Sequence, residues 1–323
     1  MSPPPPGRIA IRADGGGQIG LGHVMRCAAL AAALERQGCR PLFITATPEV
    51  LPAGLERVAD IRILDEAETA ARLTGYLVRA DVSLFVGDWK HVDAALVAAI
   101  RATGLITVLL GGHTGEATPD LQIRQSLAET PSSPCQPVLD GPDYLLLDPG
   151  YAGLPPRTVA PVARTILVSL GGTDTPLVDR IETVLTGLAD RFDLTTEIRR
   201  PFATAGTPPP LREALQDADI GILAGGTTLH EAAATGLPVI CVPIADNQAD
   251  RAAQVEPLGL GLRVDPGDGF EARLDAALAA LIPDAGRRGA MARAGQSRVD
   301  GRGADRVAGE LIDWLVPRAA ASQ

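Results

Sequence analysis

A glycine-rich segment near the start of the chain brings one histidine to the beginning of a predicted helix. Residues 15–26 read GGGQIGLGHVMR, directly after the apolar run Ile9-Ala10-Ile11 and before an alanine-rich stretch. Glycine lets a ligand approach the backbone closely. N–H groups at a helix start disfavour the imidazolium cation, and a neutral imidazole accepts a proton from water near pH 7. His23 is therefore a candidate general base, although a histidine that only caps or packs against the loop fits the same residues.

The same glycines bear on two nucleotide-binding motifs. Gly15, Gly17 and Gly20 match the GxGxxG pattern of dinucleotide sites, which also needs an acidic residue at the end of the second strand. Here that strand ends FITATP, with no acidic residue before Glu49, so NAD and FAD are disfavoured. A P-loop is excluded because Gly22 is followed by histidine and valine. No cofactor is expected.

The second half of the chain carries a longer pattern, AGGTTLHEAAATGLPVICVPIADNQ, at 224–248. A glycine turn after a buried strand opens a helix, and free N–H groups at such a helix start suit a diphosphate. Glu231, one turn into the helix, could accept two hydrogen bonds from a ribose diol. The segment SLGGTD at 169–174 is a second glycine turn at a strand end. Ordinary turns between strands and helices are the alternative reading of each glycine pair.

These motifs need a scaffold of alternating strands and helices. Short β-branched runs alternate with alanine- and leucine-rich stretches, which predicts an α/β fold built on parallel sheets. Residues 149–163 are rich in proline and glycine and interrupt the alternation. We expect two Rossmann-like domains, 1–158 and 159–323, with a ligand cleft between them and a last helix near 303–316 that reaches back to the first domain. The predicted strands are 8–13, 40–46, 82–88, 105–112, 164–172, 193–200, 218–226 and 237–244, and the predicted helices are 22–37, 92–104 and 228–235.

Composition and charge narrow the partners. The chain has 323 residues and a net charge of -10, and it shows no run of lysine and arginine, so no nucleic-acid partner is expected. Its four cysteines have no zinc spacing and no disulfide framework, which favours a reducing compartment and no metal. No apolar stretch is long enough to span a membrane, and the chain is expected to be cytoplasmic, without membrane insertion. The oligomeric state is left open.

The quoted motifs, together with IRADGGGQIGLGHVMRC at 11–27 and VSLGGTD at 168–174, resemble those of the nucleotide-sugar hydrolases of pseudaminic acid biosynthesis (PseG), to which spore-coat polysaccharide proteins are similar. GPDYLLLDPGY at 141–151 also resembles a family segment, so the likeness runs nearly the whole chain. The resemblance implies the two-domain GT-B fold of the MurG-type glycosyltransferases.

The resemblance also implies roles for matching residues. His23 would be the base that activates water for attack on the anomeric carbon, and Glu231 would bind the uridine ribose. The other implied substrate-binding residues are Gly20 and Gly22 beside the sugar, Arg26 near that loop, Asp88, the diphosphate group Gly171, Gly172, Gly226, Thr227, Thr228 and Leu229, and the sugar-facing pair Asn247 and Gln248.

Two segments depart from the family pattern. Where the family reads V-D-x-Y, this chain reads Gly87-Asp88-Trp89-Lys90, which keeps the aspartate and loses the tyrosine. Where the family has an Asp-Asp pair, the chain reads Gly111-Gly112-His113. Both segments are expected on the sugar side of the cleft, so the identity of the sugar stays open.

Three functions follow as hypotheses. The first is metal-independent hydrolysis of a UDP-linked deoxyamino sugar, which releases UDP and free sugar in pseudaminic-acid-type biosynthesis of cell-surface glycans. The second is an inverting UDP-sugar-dependent glycosyltransferase on the same scaffold, with a hydroxyl acceptor in place of water. The third is a nucleotide-sugar binding protein without catalysis. Release of UDP without an acceptor distinguishes them.

Overall fold

Two compact units make up the chain in the computed structural model, which describes residues 7–16, 20–64, 70–89, 91–111, 115–129, 137–171, 175–189, 191–200 and 210–315. Unit 1 comprises Met1–Pro149 and Arg302–Gln323, and unit 2 comprises Gly150–Gly301. The sequence analysis instead placed the boundary between residues 158 and 159. Along the described residues no helix is long and apolar enough to cross a membrane.

Unit 1 contains a seven-stranded sheet in which every neighbouring pair is parallel. The strand order is β3-β2-β1-β4-β5-β6-β7, so β1 and β4 lie side by side at the centre and their last residues, Ala13 and Asp88, are in register. The strands are β1 (Arg8–Ala13), β2 (Leu42–Thr45), β3 (Asp60–Ile63), β4 (Val82–Asp88), β5 (Ile106–Leu110), β6 (Leu121–Ile123) and β7 (Val138–Leu139).

Unit 2 contains a five-stranded parallel sheet of order β12-β11-β10-β8-β9. Its central strands β8 and β10 are buried almost throughout, as expected for a parallel sheet covered on both faces. The strands are β8 (Thr165–Ser169), β9 (Thr195–Arg199), β10 (Ile220–Leu223), β11 (Val239–Cys241) and β12 (Gly261–Arg263).

Helices cover the sheets, which confirms the predicted α/β alternation. The first helix ends where predicted, because Gly38 adopts φ +81° directly after its last turn and glycine takes that conformation without strain. The helices are α1 (Gly22–Arg36), α2 (Leu55–Val58), α3 (Ala70–Arg79), α4 (Ala94–Arg101), α5 (Leu177–Ala189), α6 (Leu211–Asp217), α7 (Thr228–Thr235), α8 (Ala249–Gln254), α9 (Phe270–Leu281), α10 (Ala285–Arg298) and α11 (Gly303–Leu315).

The last helix belongs to the core of unit 1. Ala304, Val307, Ala308 and Leu311 of α11 are buried in one apolar cluster with residues of β1 and α1. The Gln37 side-chain amide also donates to the Asp305 carbonyl at 2.8 Å. α11 therefore completes an apolar core to which β1 and α1 also contribute.

The proline-rich segment is bonded to unit 2 through Arg157. This guanidinium donates to the carbonyls of Leu215 (3.0 Å), Gln216 (3.2 Å), Thr235 (3.2 Å) and Ala218, which lie at or just beyond the carboxyl ends of α6 and α7. Burial lowers the pKa of Arg157 to about 10. These contacts explain why the division between the units falls before this segment and not after it.

Candidate functional site

The loop that precedes His23 is closed by its own backbone. Gly16 donates to the Gly20 carbonyl at 3.1 Å, and Gly20 donates back to Gly16 at 2.7 Å. Both glycines have positive φ, +107° and +80°, so side chains at these positions would strain the loop. Among the described residues, no atom lies within 4 Å of a Cβ built on Gly20.

The start of the same loop is tied to the end of β2. Asp14 Oδ1 accepts hydrogen bonds from the Thr45 hydroxyl (3.1 Å) and the Ala46 N–H (2.7 Å). Gly15 N–H donates to the Thr47 hydroxyl at 3.0 Å. The entry to α1 is therefore fixed on the neighbouring strand, and α1 begins at Gly22 with His23 on its first turn.

A buried carboxylate holds the imidazole. Asp88, at the end of β4, lies next to β1 in the sheet, and its side chain is fully buried. Its Oδ1 lies 2.7 Å from His23 Nδ1 and 2.5 Å from Arg26 Nη2, and its Oδ2 lies 2.6 Å from Arg26 Nε. Cys27 Sγ is 3.5 Å from the same Oδ2. One aspartate thus accepts from three side chains of α1, those of His23, Arg26 and Cys27.

Charge compensation keeps Asp88 ionised. Burial alone would raise the pKa of this carboxyl, but the Arg26 charge and the hydrogen bonds from His23 and Arg26 outweigh it and lower the pKa to about 2. The same carboxylate raises the pKa of Arg26 against the opposing effect of burial. Burial, followed by the Asp88 charge, raises the pKa of Cys27 well above its usual range, so this thiol stays protonated.

An ionised Asp88 fixes the tautomer of His23. At 2.7 Å from a carboxylate oxygen, Nδ1 must carry the proton, because an unprotonated nitrogen would meet the oxygen lone pair with lone pair. Arg26 Nη2 lies 3.0 Å from Nδ1 but donates to Asp88. Nε2 is then the accepting nitrogen of the neutral ring, and the described residues offer it no hydrogen bond. The imidazole is 17% exposed, which leaves it accessible to a ligand.

The resemblance implied that Asp88 and Arg26 bind the substrate, and this role stays a prediction. Both side chains are buried and bonded to each other, and Asp88 is also bonded to His23, so they position the imidazole. Trp89, which follows Asp88, places its ring over the Cα of Gly87 and packs against Phe85, with 5.8 Å between ring centroids.

In unit 2 the turn before α7 presents backbone N–H groups. Gly225 is buried, whereas Gly226, Thr227 and Thr228 are half-buried. No side chain caps the helix, and the N–H groups of these three residues donate to no acceptor within the described ranges. Leu229 is buried and contributes packing. This helix start can accept an anionic group without displacing a protein contact.

Glu231 lies on the first turn of α7 and is half-buried. Its Oε1 accepts a hydrogen bond from the Tyr151 hydroxyl at 3.1 Å. Tyr151 lies within the proline- and glycine-rich segment 149–163, and it is buried. The sequence analysis named Glu231 and did not identify the tyrosine that orients it.

Gln248 faces the backbone of its own unit. Its Oε1 accepts from the N–H of Gly225 (3.2 Å) and of Ile244 (2.9 Å), and Arg251 Nε donates to the Gly225 carbonyl at 2.8 Å. Arg251 was not identified from the sequence. Asn247 lies in a short 3₁₀ turn, Asp246–Gln248, and nothing is described of its side chain.

The remaining expected positions divide between described and undescribed residues. Gly171 is exposed, with φ +89° and open space at its Cα. Gly172, Lys90, Gly112 and His113 lie outside the described residues. His91 is exposed and His230 is buried. No group of three or more His, Cys, Asp or Glu residues is arranged to hold a metal ion in the described part of the chain.

The chain is similar to known proteins over most of its length. No protein-family model matches the chain. The spore coat polysaccharide biosynthesis protein SpsG of Bacillus subtilis (strain 168) is 24% identical over 344 residues, which cover 94% of this chain and 98% of that protein.

Solved structures resemble the chain over nearly its full length. MurG of Acinetobacter baumannii has a TM-score of 0.65 at 18% identity and covers 95% of this chain and 99% of its own. The glycotransferase of kitacinnamycin has 0.67 at 17%, with 97% and 100% covered. The calicheamicin glycosyltransferase CalG4 has 0.63 at 20%, with 97% and 99% covered. The fold is the GT-B fold, as the sequence resemblance implied.

Proposed function

We propose that this protein is a nucleotide-sugar hydrolase that cleaves the sugar–phosphate bond of a UDP-linked deoxyamino sugar and releases UDP and the free sugar. The observation that carries the proposal is the Asp88-oriented His23, whose Nε2 accepts a proton at the mouth of a glycine loop. The sequence resemblance and the likeness to SpsG support a role in surface-polysaccharide or nonulosonic acid biosynthesis in the cytoplasm.

His23 acts as general base in this reaction. The oxygen of a water molecule forms a bond to the anomeric carbon, the water proton passes to Nε2, and the bond from that carbon to the phosphate oxygen breaks. The electron pair leaves with UDP. The imidazolium that forms is stabilised by the Asp88 carboxylate at Nδ1, as in other His–Asp pairs, while Arg26 keeps that carboxylate ionised throughout.

Unit 2 supplies nucleotide recognition in the proposal. The N–H groups at the start of α7 receive the diphosphate, whose charge increases as the bond breaks, and fixed backbone donors need no rearrangement to stabilise it. Glu231, oriented by Tyr151, accepts hydrogen bonds from the ribose diol. In this proposal, backbone N–H groups of the described residues stabilise the charge on the departing diphosphate. The reaction should then proceed without a metal ion, and including EDTA in the assay tests this.

A glycosyltransferase is the second candidate, and a specific observation favours it. The structurally similar proteins include the glycotransferase of kitacinnamycin and the calicheamicin glycosyltransferase CalG4, and also the spinosyn forosaminyltransferase SpnP, with a TM-score of 0.65. The same base would then deprotonate an acceptor hydroxyl, and the nucleotide half would be unchanged.

The deciding experiment measures nucleotide release without an acceptor. Thermal shift first screens UDP-, GDP- and CMP-sugars, and the UDP-sugars that stabilise the protein are then incubated with it in EDTA-containing buffer. We expect UDP and free sugar in equal amounts, with ¹⁸O from labelled water at the anomeric position. Release only after an alcohol acceptor is added would establish the transferase, and tight binding without turnover under either condition would establish a binding protein.

A further inference from the structure

Two residues that follow β11 in the sequence, Gln248 and Arg251, form hydrogen bonds with the turn before α7. Gln248 Oε1 accepts the Gly225 N–H, and Arg251 Nε donates to the Gly225 carbonyl. A Cβ on Gly225 would lie 2.8 Å from Gln248 Cβ and 2.9 Å from the Gln248 carbonyl oxygen. Gly225 is therefore enclosed by α8 and the turn before it, and both of its backbone polar groups are occupied.

This enclosure determines where the next N–H group points. The peptide between Gly225 and Gly226 is trans, like every other described peptide bond, so its carbonyl and its N–H point in opposite directions. With the carbonyl held by Arg251, the Gly226 N–H faces away from the guanidinium, toward the open side of the turn. No atom of the described residues lies within 4 Å of a Cβ built on Gly226.

We infer that Gln248 and Arg251 are positioning residues that pre-orient the N–H groups of Gly226, Thr227 and Thr228 for the diphosphate of a nucleotide sugar. The inference rests on the proposed function for its ligand. It changes the role of Gln248, which the sequence resemblance assigned to the sugar, and it adds Arg251. The arginine also places a positive charge behind the turn, since its guanidinium is bonded directly to the carbonyl of that peptide.

The charge of Arg251 and the hydrogen bonds from Gln248 and Arg251 to the turn contribute separately to diphosphate binding in this inference. A guanidinium hydrogen-bonded to a carbonyl polarises the peptide and strengthens its N–H as a donor to an anion. The Gln248 oxygen carries no charge, but it satisfies two N–H groups that would otherwise lack a partner. Removing either side chain releases the turn, and removing the arginine also weakens the field at the diphosphate.

The test compares UDP with uridine, which lacks the diphosphate. Calorimetric titration of the full chain measures both ligands on wild type, Arg251→Met, Arg251→Lys and Gln248→Met. Arg191→Met is the matched control, because Arg191 bonds the surface carboxylate of Asp275 in the same unit. Arg251→Met and Gln248→Met should each weaken UDP about 10-fold and uridine less than about 2-fold, Arg251→Lys should fall between, and the control should match wild type.

A ligand-free measurement keeps the two proposals separate. Amide hydrogen exchange of the segment 224–229 should be faster in Gln248→Met and Arg251→Met than in wild type. Unchanged exchange, or equal weakening of UDP and uridine, overturns the inference and leaves the proposed function standing. Wild-type protein that binds no UDP, with the exchange difference present, overturns the proposed function and leaves the restraint on the turn established.

Discussion

Replacing Asp88 by asparagine tests the central geometry of unit 1. The carboxylate meets four donors, namely His23 Nδ1, two Arg26 nitrogens and the Cys27 thiol. An amide offers one oxygen and adds an N–H₂ donor. If its oxygen faces His23, the N–H₂ meets the Arg26 Nε donor. If the oxygen faces Arg26 Nε, the N–H₂ donates to Nδ1 and forces the proton of His23 onto Nε2.

Both orientations carry a cost that can be estimated. Arg26 is buried and loses its only described carboxylate partner, and breaking a buried ion pair costs about 3–5 kcal/mol in the free energy of unfolding. Forcing a histidine base into the wrong tautomer by an Asp-to-Asn change lowers kcat about 10⁴-fold. Asp88→Asn should therefore lose both stability and turnover, while UDP affinity, which depends on unit 2, stays within about 2-fold of wild type.

The assay combines urea unfolding, UDP titration and UDP release at a temperature where the variant is folded. Asp81→Asn is the control, because it removes the same charge at an exposed position with φ +55°, a conformation that asparagine tolerates. Turnover by folded Asp88→Asn within about 10-fold of wild type would refute the tautomer argument. If Asp88→Asn and the control had the same free energy of unfolding, the estimated stabilisation by the buried ion pair would be wrong.

Four further predictions follow. His23→Asn should lower turnover about 10²–10⁴-fold with UDP affinity unchanged, measured by UDP release and titration, and wild-type turnover would make His23 structural. Glu231→Ala should weaken UDP binding by about 1–3 kcal/mol, because charge-assisted hydrogen bonds to the ribose are lost. Calorimetric titration of wild type and variant with UDP measures this difference. Equal affinities would mean that another residue binds the ribose. Arg157→Met should lower the unfolding free energy by about 2 kcal/mol, because buried carbonyls lose their donor, and an unchanged urea midpoint would contradict this. Since the folded pKa of Asp88 is about 2 against an ordinary 3.8, its ionised form stabilises the fold above about pH 4, and about 2 kcal/mol is lost as pH falls toward 2. The unfolding free energy of wild type minus that of Asp88→Asn should shrink by this amount between pH 6 and pH 2.

Sequence periodicity identified seven largely buried strands and also the more exposed edge strand β9; the buried ones are β1, β2, β4, β5, β8, β10 and β11. The strands at 82–88 and 8–13 and the helix at 228–235 have the predicted bounds, because continuous apolar runs and glycine stops mark them. β3 was not identified, since Asp60–Ile63 is an edge strand with three exposed residues of four. β12 was missed because it has three residues and begins with glycine, which weakens the pattern of a strand.

The contacts between distant residues at the site were not predicted from the sequence. His23 was identified from its loop, but its bond to Asp88 joins positions 65 residues apart, and the two meet only because β1 and β4 are neighbours in register. The strand order of a doubly wound sheet was the signal that could have predicted β1 and β4 as neighbours. Nothing in the sequence indicated that Gln248 would turn its oxygen to the backbone of Gly225, because an amide in a loop serves a ligand or a peptide group equally well.

The placement of α11 has a consequence for how the protein is made. On the ribosome residues 1–149 emerge before unit 2, yet their core lacks Ala304, Val307, Ala308 and Leu311 until those residues have been translated. Unit 2 is one continuous stretch, Gly150–Gly301, and its two ends meet, since the Gly301 Cα packs directly against the Tyr151 carbonyl. Unit 2 can thus finish folding during synthesis. Unit 1, which carries His23, keeps an apolar face exposed to solvent until α11 has been translated. A premature stop codon just after residue 301 would therefore destabilise unit 1, because unit 1 would lack α11.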